Sequence, residues 1–333
     1  MDNSGKTKKG TRPDWIEIVS RYNSPNPLKS WWQVINSVGP YIILWILMIK
    51  SLSISYWLTL LLSVFAAGFL IRMFIIFHDC GHGSFFKSKK LSTIVGVATG
   101  LPVFTPYKKW SHEHLIHHQT VGNLDKRGIG DVNTLTVGEY LKLSKLQRIA
   151  YRIYRNPFIL FGVAPLLVFV IFQRFTNKRM TIRDKIYVHL STLAMVAGVA
   201  GMMMLIGWKE FLLIQIPVLY IATAHGMWLF YVQHQFKHVI WSKSENWDYK
   251  TIATQGSSMF KLPAILNWFT GNIGYHHVHH LGPTIPNYNL KRCHNENALF
   301  SSIKPLTFLT AFESLRLRLW DEKRQMLVGF SEI

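Results

Sequence analysis

Cysteine is nearly absent from this sequence of 333 residues: Cys80 and Cys293 are the only two. They lie far apart and form no C-x-x-C pattern, which argues against a disulfide framework or a thiolate metal site. Acid is scarce too. Asp and Glu number 17 against 37 Lys and Arg, a formal charge of +20, yet charged residues make up only 16% of the chain. Nucleic-acid binders share so basic a balance, so the location of the charge decides its meaning. The opening "MDNSGKTKKGTRPDW" has no apolar run. No cleavable secretory signal is expected there, only a short solvated basic tail.

What the chain has in quantity is apolar length, with 49% hydrophobic and 14% aromatic residues. A bilayer span takes about 20 mostly apolar residues, and four stretches qualify, at 32–49, 54–77, 186–206 and 211–233. The connections "KSLS" and "GWKE" are tight and make two hairpins. Two further apolar stretches, 91–107 and 158–173, are shorter and interrupted by Pro102, Pro106 and Pro165, so they read as interfacial or re-entrant. The expected fold is an all-α integral membrane protein with four transmembrane helices in two hairpins, interfacial or re-entrant helices and a cytoplasmic histidine-rich helical cap. Residues 1–31 form the basic tail and 32–333 a single membrane domain.

The basic residues orient this arrangement. With a cytoplasmic N-terminus, the two outward hairpin tips carry only Lys50 and Lys209, and Arg72, late in the second span, is placed to snorkel to the cytoplasmic interface. The remaining Lys and Arg, including those of "RFTNKRMTIRDK", then fall on the cytoplasmic side, as the positive-inside rule requires. Segment 158–173 cannot cross, because both its flanks are cytoplasmic. The charge is therefore mainly topological, with some attraction to anionic lipid or an acidic partner. No nucleic-acid partner is expected. The protein is expected in the cell membrane, multi-pass, with both termini cytoplasmic.

Histidine supplies the chemistry. Of 15 histidines, ten lie in "HDCGH" (78–82), "HEHLIHH" (112–118) and "HHVHH" (276–280), all cytoplasmic in this topology. At about 100° per residue, His78 and His82 share a helix face, and His114, His117 and His118 fit within an arc of about 100° that excludes His112. His276, His279 and His280 form a third such arc, which excludes His277. Eight imidazoles thus point at one site from three helices. Neutral imidazole suits Fe, Zn, Cu and Ni. Eight ligands exceed what one ion takes, and a structural zinc needs only about four. Two irons beside a membrane, with positions open to oxygen, fit best. The bland reading, a chance cluster of surface histidines, would leave unpaired polar groups beside apolar surface.

The three boxes, their spacing and their placement relative to the two hairpins resemble the integral, histidine-box family of membrane fatty acid desaturases. The resemblance runs from about Trp32 to Trp320. "HDCGHGSFF", "NLDKRG", "YRIYRNPF", "FYVQH" and "TGNIGYHHVHHL" are similar to bacterial acyl-lipid desaturases, with the delta-5 branch the nearest. The resemblance implies a ninth ligand near the cytoplasmic end of the fourth span. His234 occupies that place, with His238 one turn on and His225 deeper in the span. His112, His277 and Asn272 are expected in supporting positions, with Asp79 and Glu113 shaping the boxes. His189 and His294 read as structural. The chain shows no heme-binding cytochrome b5 segment, so the family implies a separate electron carrier, ferredoxin or flavodoxin, which the basic face could dock.

The implied reaction is an O2-dependent dehydrogenation of saturated phospholipid acyl chains. Two electrons reduce the diiron pair, and two hydrogens leave adjacent methylenes to give a cis double bond. Unactivated C–H bonds offer no handle for acid–base chemistry, so position selects the carbon pair. A narrow apolar tunnel is expected between the second and fourth spans. Phe85, Phe86, Trp228, Phe230 and Tyr231 are candidates to line it, or are ordinary membrane packing. The loop "NLDKRG" reads as solvated and held by an Asp125–Arg127 pair, with lipid-headgroup contact as the alternative. A hydroxylase or ketolase uses the same boxes, and spacing does not separate the outcomes. A metal transporter would place ionisable ligands along the spans, whereas these lie at their ends.

Overall fold

The computed structural model describes residues 13–178 and 180–333; residues 1–12, part of the expected basic tail, and Arg179 of the basic run 174–185 lie outside the described residues. Helix α1 (Asp14–Tyr22) leads into α2 (Pro27–Ser51), which starts on a proline and an Asn26 side chain accepting from the Lys29 amide. Helix α3 (Tyr56–His82) returns antiparallel. Ser51 and Thr59, hydroxyl to hydroxyl at 2.7 Å, pin the turn between them.

α3 is the central element. Its small and aliphatic residues Ala66, Ala67, Leu70 and Met73 pack against Tyr41 and Met48 of α2 and against a later span. Small residues matter here because lipid is as apolar as protein, so close packing and not water exclusion holds spans together. The helix does not stop at residue 77, where the apolar run ends. It continues through the first histidine box to Gly83, whose φ of 67° ends it in the left-handed conformation.

After α4 (Lys89–Gly100), the segment expected to be interfacial over 91–107 turns sharply at 101–106. Helix α5 (Tyr107–Thr120) follows it. Gly96 lets the Tyr107 ring cross α4, since a Cβ there would lie 2.3 Å from that ring. The Tyr107 hydroxyl then donates to the Cys80 carbonyl at 2.7 Å, which fixes the second box against the first. Helices α6 (Val137–Lys142) and α7 (Lys145–Tyr154) each begin with a capping box. The segment Phe158–Arg174 bends 52° away from α7. It consists of π-helical turns around α8 (Ala164–Leu166) and ends in a 3-10 turn.

The second hairpin comprises α9 (Ile182–Ile206) and α10 (Trp208–His234). Its connection is shorter than the four residues expected, because Trp208–Glu210 are already helical and Gly207, at φ 95°, makes the turn alone. α2, α3, α9 and α10 are each long and apolar enough to cross a membrane, and α7 with Phe158–Arg174 is a bent fifth candidate. The rest caps one end of the bundle: α11 (Tyr249–Gln255), α12 (Ala264–Phe269), α13 (His276–Leu281), α14 (Asn287–Glu296), α15 (Phe308–Glu313), and strands β1 (Leu319–Asp321) and β2 (Met326–Val328), paired antiparallel.

Two expectations about charged groups change. Arg72 does not snorkel to the interface. It is buried, donates to the Trp268 carbonyl and sits 3.9 Å from the Trp268 ring centroid, so α12 covers it with a carbonyl and a π-face instead of water. Nor do Asp125 and Arg127 pair with each other. Asp125 accepts from the Ser244 amide at 2.8 Å, while Arg127 pairs with Glu139 and donates to the Leu124 carbonyl at 2.7 Å.

Candidate metal centre

Four helices bring nine imidazoles together in two sets. In the first, His78, His82, His114, His118 and His279 each present a ring nitrogen, and in the second His117, His234, His276 and His280 do so; within each set these atoms lie within 4.8 Å of one another. The assignment follows helix geometry with a twist that the sequence does not show. On α5 the i,i+4 pair His114 and His118 serves the first set, and His117 turns to the second. On α13 the pair His276 and His280 serves the second set, and His279 turns to the first. α3 adds its own i,i+4 pair to the first set, and α10 adds His234 to the second. The adjacent histidines 117/118 and 279/280 are thus split between the sets. His118 and His280 stack across the boundary, 4.1 Å between centroids.

Within the sets the Nε2 atoms converge. His78 and His279 are 3.1 Å apart, His118 and His114 3.2 Å, and His279 and His118 3.0 Å. In the second set His276 lies 2.9 Å from His234 and 3.0 Å from His280. Ligand nitrogens at right angles around an ion about 2.1 Å away would be about 3 Å apart. Two carboxylates settle which nitrogen faces inward. Asp79 holds His78 Nδ1 at 3.0 Å and Asp131 holds His117 Nδ1 at 2.5 Å, so in both rings Nδ1 donates and Nε2 keeps its lone pair for the centre. His117 Nε2 and His82 Nε2 are buried without a partner, a costly state unless a cation shares them. Burial holds His114, His118, His276, His279 and His280 well below the usual histidine range, so they are neutral and able to ligate at pH 7. Imidazole nitrogens crowded this closely, in two sets of five and four, fit two transition-metal ions.

The remaining candidates separate cleanly. His277 points away from both sets, and its Nε2 meets His294 Nδ1 at 2.9 Å beside the Phe300 ring. Both therefore pack the cap. His112 makes no hydrogen bond to any of the nine and has a buried, unpartnered Nε2. Asn272 acts at a distance: at φ 58° it turns the chain into α13 and donates to the Asn287 carbonyl at 3.3 Å. Asn287 in turn donates its backbone and side-chain N–H groups to Asp79 at 2.7 and 2.9 Å, tying the third box to the first. Of the three histidines near the fourth span, His234 alone joins a set. His225 bonds the Ile221 carbonyl of its own helix, and His238 is exposed. Glu113 sits 3.9 Å from Lys109 and belongs to neither set. Asp131 escaped the sequence reading, although a carboxylate behind a ligating imidazole is the general rule and the Gly-rich "RGIGD" loop was its one signal.

A cavity of about 380 Å³ adjoins both sets, touching His78 of the first and His276 of the second. Leu70, Phe74, Leu219 and Ala222 line it from α3 and α10, as the expected tunnel requires, and Ala164 and Val168 close it from the π-helical segment. Among the five aromatics proposed from sequence, only Phe230 lines it. Phe85 and Phe86 are buried against Ile76 and Phe77. Trp228 packs on Phe161 and Phe312, and the Tyr231 hydroxyl donates to backbone carbonyls of Ser314 and Leu317. Those four hold the scaffold together.

The chain thus joins four helices long and apolar enough to cross a membrane to two histidine sets that could each hold a metal ion, beside an apolar cavity. A profile of the family described as Fatty acid desaturase matches residues 55–302. The chain is 47% identical over 315 residues to a fatty acid desaturase of Bacillus subtilis, an alignment covering 95% of this chain and 90% of that protein. It is 28% identical over 243 residues to a Synechocystis protein named sn-1 acyl-lipid omega-3 desaturase (ferredoxin), and 24% identical over 278 residues to a chloroplastic omega-6 fatty acid desaturase of Brassica napus. The matches cover 62% and 59% of those two proteins, less than two thirds of their length. The chain belongs to the fatty acid desaturase family and is an oxidoreductase.

Proposed function

We propose that this protein is an acyl-lipid desaturase that introduces a cis double bond into saturated acyl chains of membrane phospholipid. The observation that carries the reading is the shared cavity: one apolar volume touches both histidine sets, so a single hydrocarbon chain can lie against both. In this reading His78, His82, His114, His118 and His279 hold one iron, and His117, His234, His276 and His280 hold the other. When bound, the iron pair supplies the oxidising power that removes two hydrogens from adjacent methylenes at the expense of O2 and two electrons.

The residues of the chain do the rest. Asp79 and Asp131 fix His78 and His117 in the ligating tautomer. Leu70, Phe74 and Phe230 exclude water from the cavity and confine the methylenes, and the rigid walls convert position into regioselectivity. Electrons come from a small acidic carrier, ferredoxin or flavodoxin. The Synechocystis relative carries ferredoxin in its name, and the excess of Lys and Arg here suits such a partner. The hairpin tips bearing Lys50 and Lys209 face outward, and both termini and the histidine sets face the cytoplasm.

The test is expression in a host lacking this activity, with double-bond positions mapped in the lipid acyl chains. A new cis double bond is expected, at the delta-5 position if the branch resemblance holds. Protein that is present, iron-loaded and supplied with reductant yet yields no unsaturation overturns the proposal. A hydroxylated or oxo product in its place selects the other reaction of these boxes.

A further inference from the structure

Glycine is a poor residue for the interior of a helix, because it loses the most backbone freedom on folding. Where this fold keeps helical glycines, a neighbour usually explains them. A Cβ on Gly68 would lie 2.9 Å from the Phe269 ring, and one on Gly96 would lie 2.3 Å from Tyr107. Gly39, Gly198, Gly201 and Gly226 differ: each sits inside a long helix with nothing within 4 Å of where its Cβ would be, and of these four Gly226 alone lines the cavity. At Gly226 that open space is the cavity, which Leu219, Ala222, Thr223, Phe230 and Gln233 line from the same helix face, with Met227 and Leu229 beside them. The spacing of these residues, three and four apart, makes a continuous wall, and its middle is the smallest part. Gly226 precedes His234 by eight residues, about 12 Å along the helix axis, so the gap lies well inward from the histidines.

We propose that Gly226 determines which acyl chains the enzyme accepts: its missing side chain leaves room for the methyl-end portion of a long chain beyond the iron pair. The proposal rests on the acyl-lipid desaturase reading and adds a specificity-determining residue to it. A side chain at 226 would fill the cavity partway along, leaving the histidines untouched. Chains with few carbons past the reacting methylenes would still fit, and longer ones would be rejected. Ala222 and Thr223 flank the gap, but both already carry a Cβ, which leaves position 226 as the sensitive point.

The experiment expresses the wild type, Gly226→Ala, Gly226→Leu and Gly226→Phe in a host lacking this activity, fed saturated fatty acids of graded length. Product is quantified for each length, and iron per purified chain is measured alongside. The ratio of long-chain to short-chain product is expected to fall at least about tenfold in Gly226→Phe, the usual scale for methylenes excluded from an apolar pocket, with a smaller fall in Gly226→Leu and least in Gly226→Ala. Gly198→Phe on α9, where a Cβ also meets nothing but which does not line the cavity, should keep the wild-type ratio. A ratio unchanged across the Gly226 series, or a uniform loss at every chain length with iron retained, overturns the proposal. Should Gly226→Phe fail to fold, the Ala and Leu variants decide it. A wild type that yields no unsaturation at all would refute the enzyme reading, not this residue's role.

Discussion

Replacing Asp131 probes the metal centre without touching any of its nine nitrogens. Among the described residues Asp131 is the sole hydrogen-bond partner of His117 Nδ1, at 2.5 Å, and the His117 ring is fully buried with its Nε2 unpartnered. Removing the carboxylate in Asp131→Leu leaves Nδ1–H without an acceptor and frees the ring to choose the other tautomer. Loss of such a partner lowers metal affinity by about 10- to 100-fold, or about 1.4 to 2.8 kcal/mol. Only the second set should suffer, because Asp131 touches none of the other eight histidines. Asp131→Asn keeps an acceptor at the same distance and should lose less, near the lower end of that range. The assay is iron content per chain after dialysis against a graded chelator, with chain integrity followed by thermal unfolding in detergent. Asp131→Leu should release about one iron per chain at chelator concentrations that leave the wild type loaded. Wild-type retention of both irons would refute the argument that this carboxylate orients a ligand.

Other expectations rest on single contacts. Arg155 is fully buried and donates to Asn133, Thr134, Tyr231, Gln235 and Leu317 with no carboxylate beside it. Arg155→Met should therefore cost about 3 kcal/mol and lower the unfolding midpoint by about 5 °C while leaving iron binding intact; an unchanged midpoint would count against that role. His277→Phe removes the 2.9 Å contact with His294 and should lower stability at full iron content, whereas His279→Ala should lose iron. Equal iron loss in both would mean that the split of the third box is wrong.

Much of this architecture was legible in the sequence, for definable reasons. Span number and order follow from apolar length, and the box faces follow from 100° per residue; His112 and His277, outside those arcs, also lie outside the two converging sets. Azimuth alone does not reveal that adjacent histidines serve different sets, because that depends on where α3 and α10 stand around α5 and α13. The apolar run of the second span ends at residue 77, but the shared face of His78 and His82 already implied a helical first box, and α3 carries it without a break to the left-handed Gly83. Arg72 was legible as a charge in a span, but its partner, the Trp268 carbonyl, is 196 residues away. Asp131 reaches His117 through a loop turned by Gly128 and Gly130 at positive φ, a tertiary route that periodicity does not encode. Phe85 and Phe86 follow the first box in sequence, yet the turn at Gly83 carries them away from the cavity.

Iron stoichiometry is the most direct test of the central claim, that nine histidines form two metal sets. Purified wild-type protein should carry two irons per chain, with the magnetic coupling of a close pair. His234→Ala, which removes a ligand of the four-histidine set, should weaken one iron and leave the other. His82→Ala, in the five-histidine set, should do the reverse, and His225→Ala and His238→Ala should bind as the wild type does. A single iron per chain, or loss of both irons to the same degree from either set, would contradict the account.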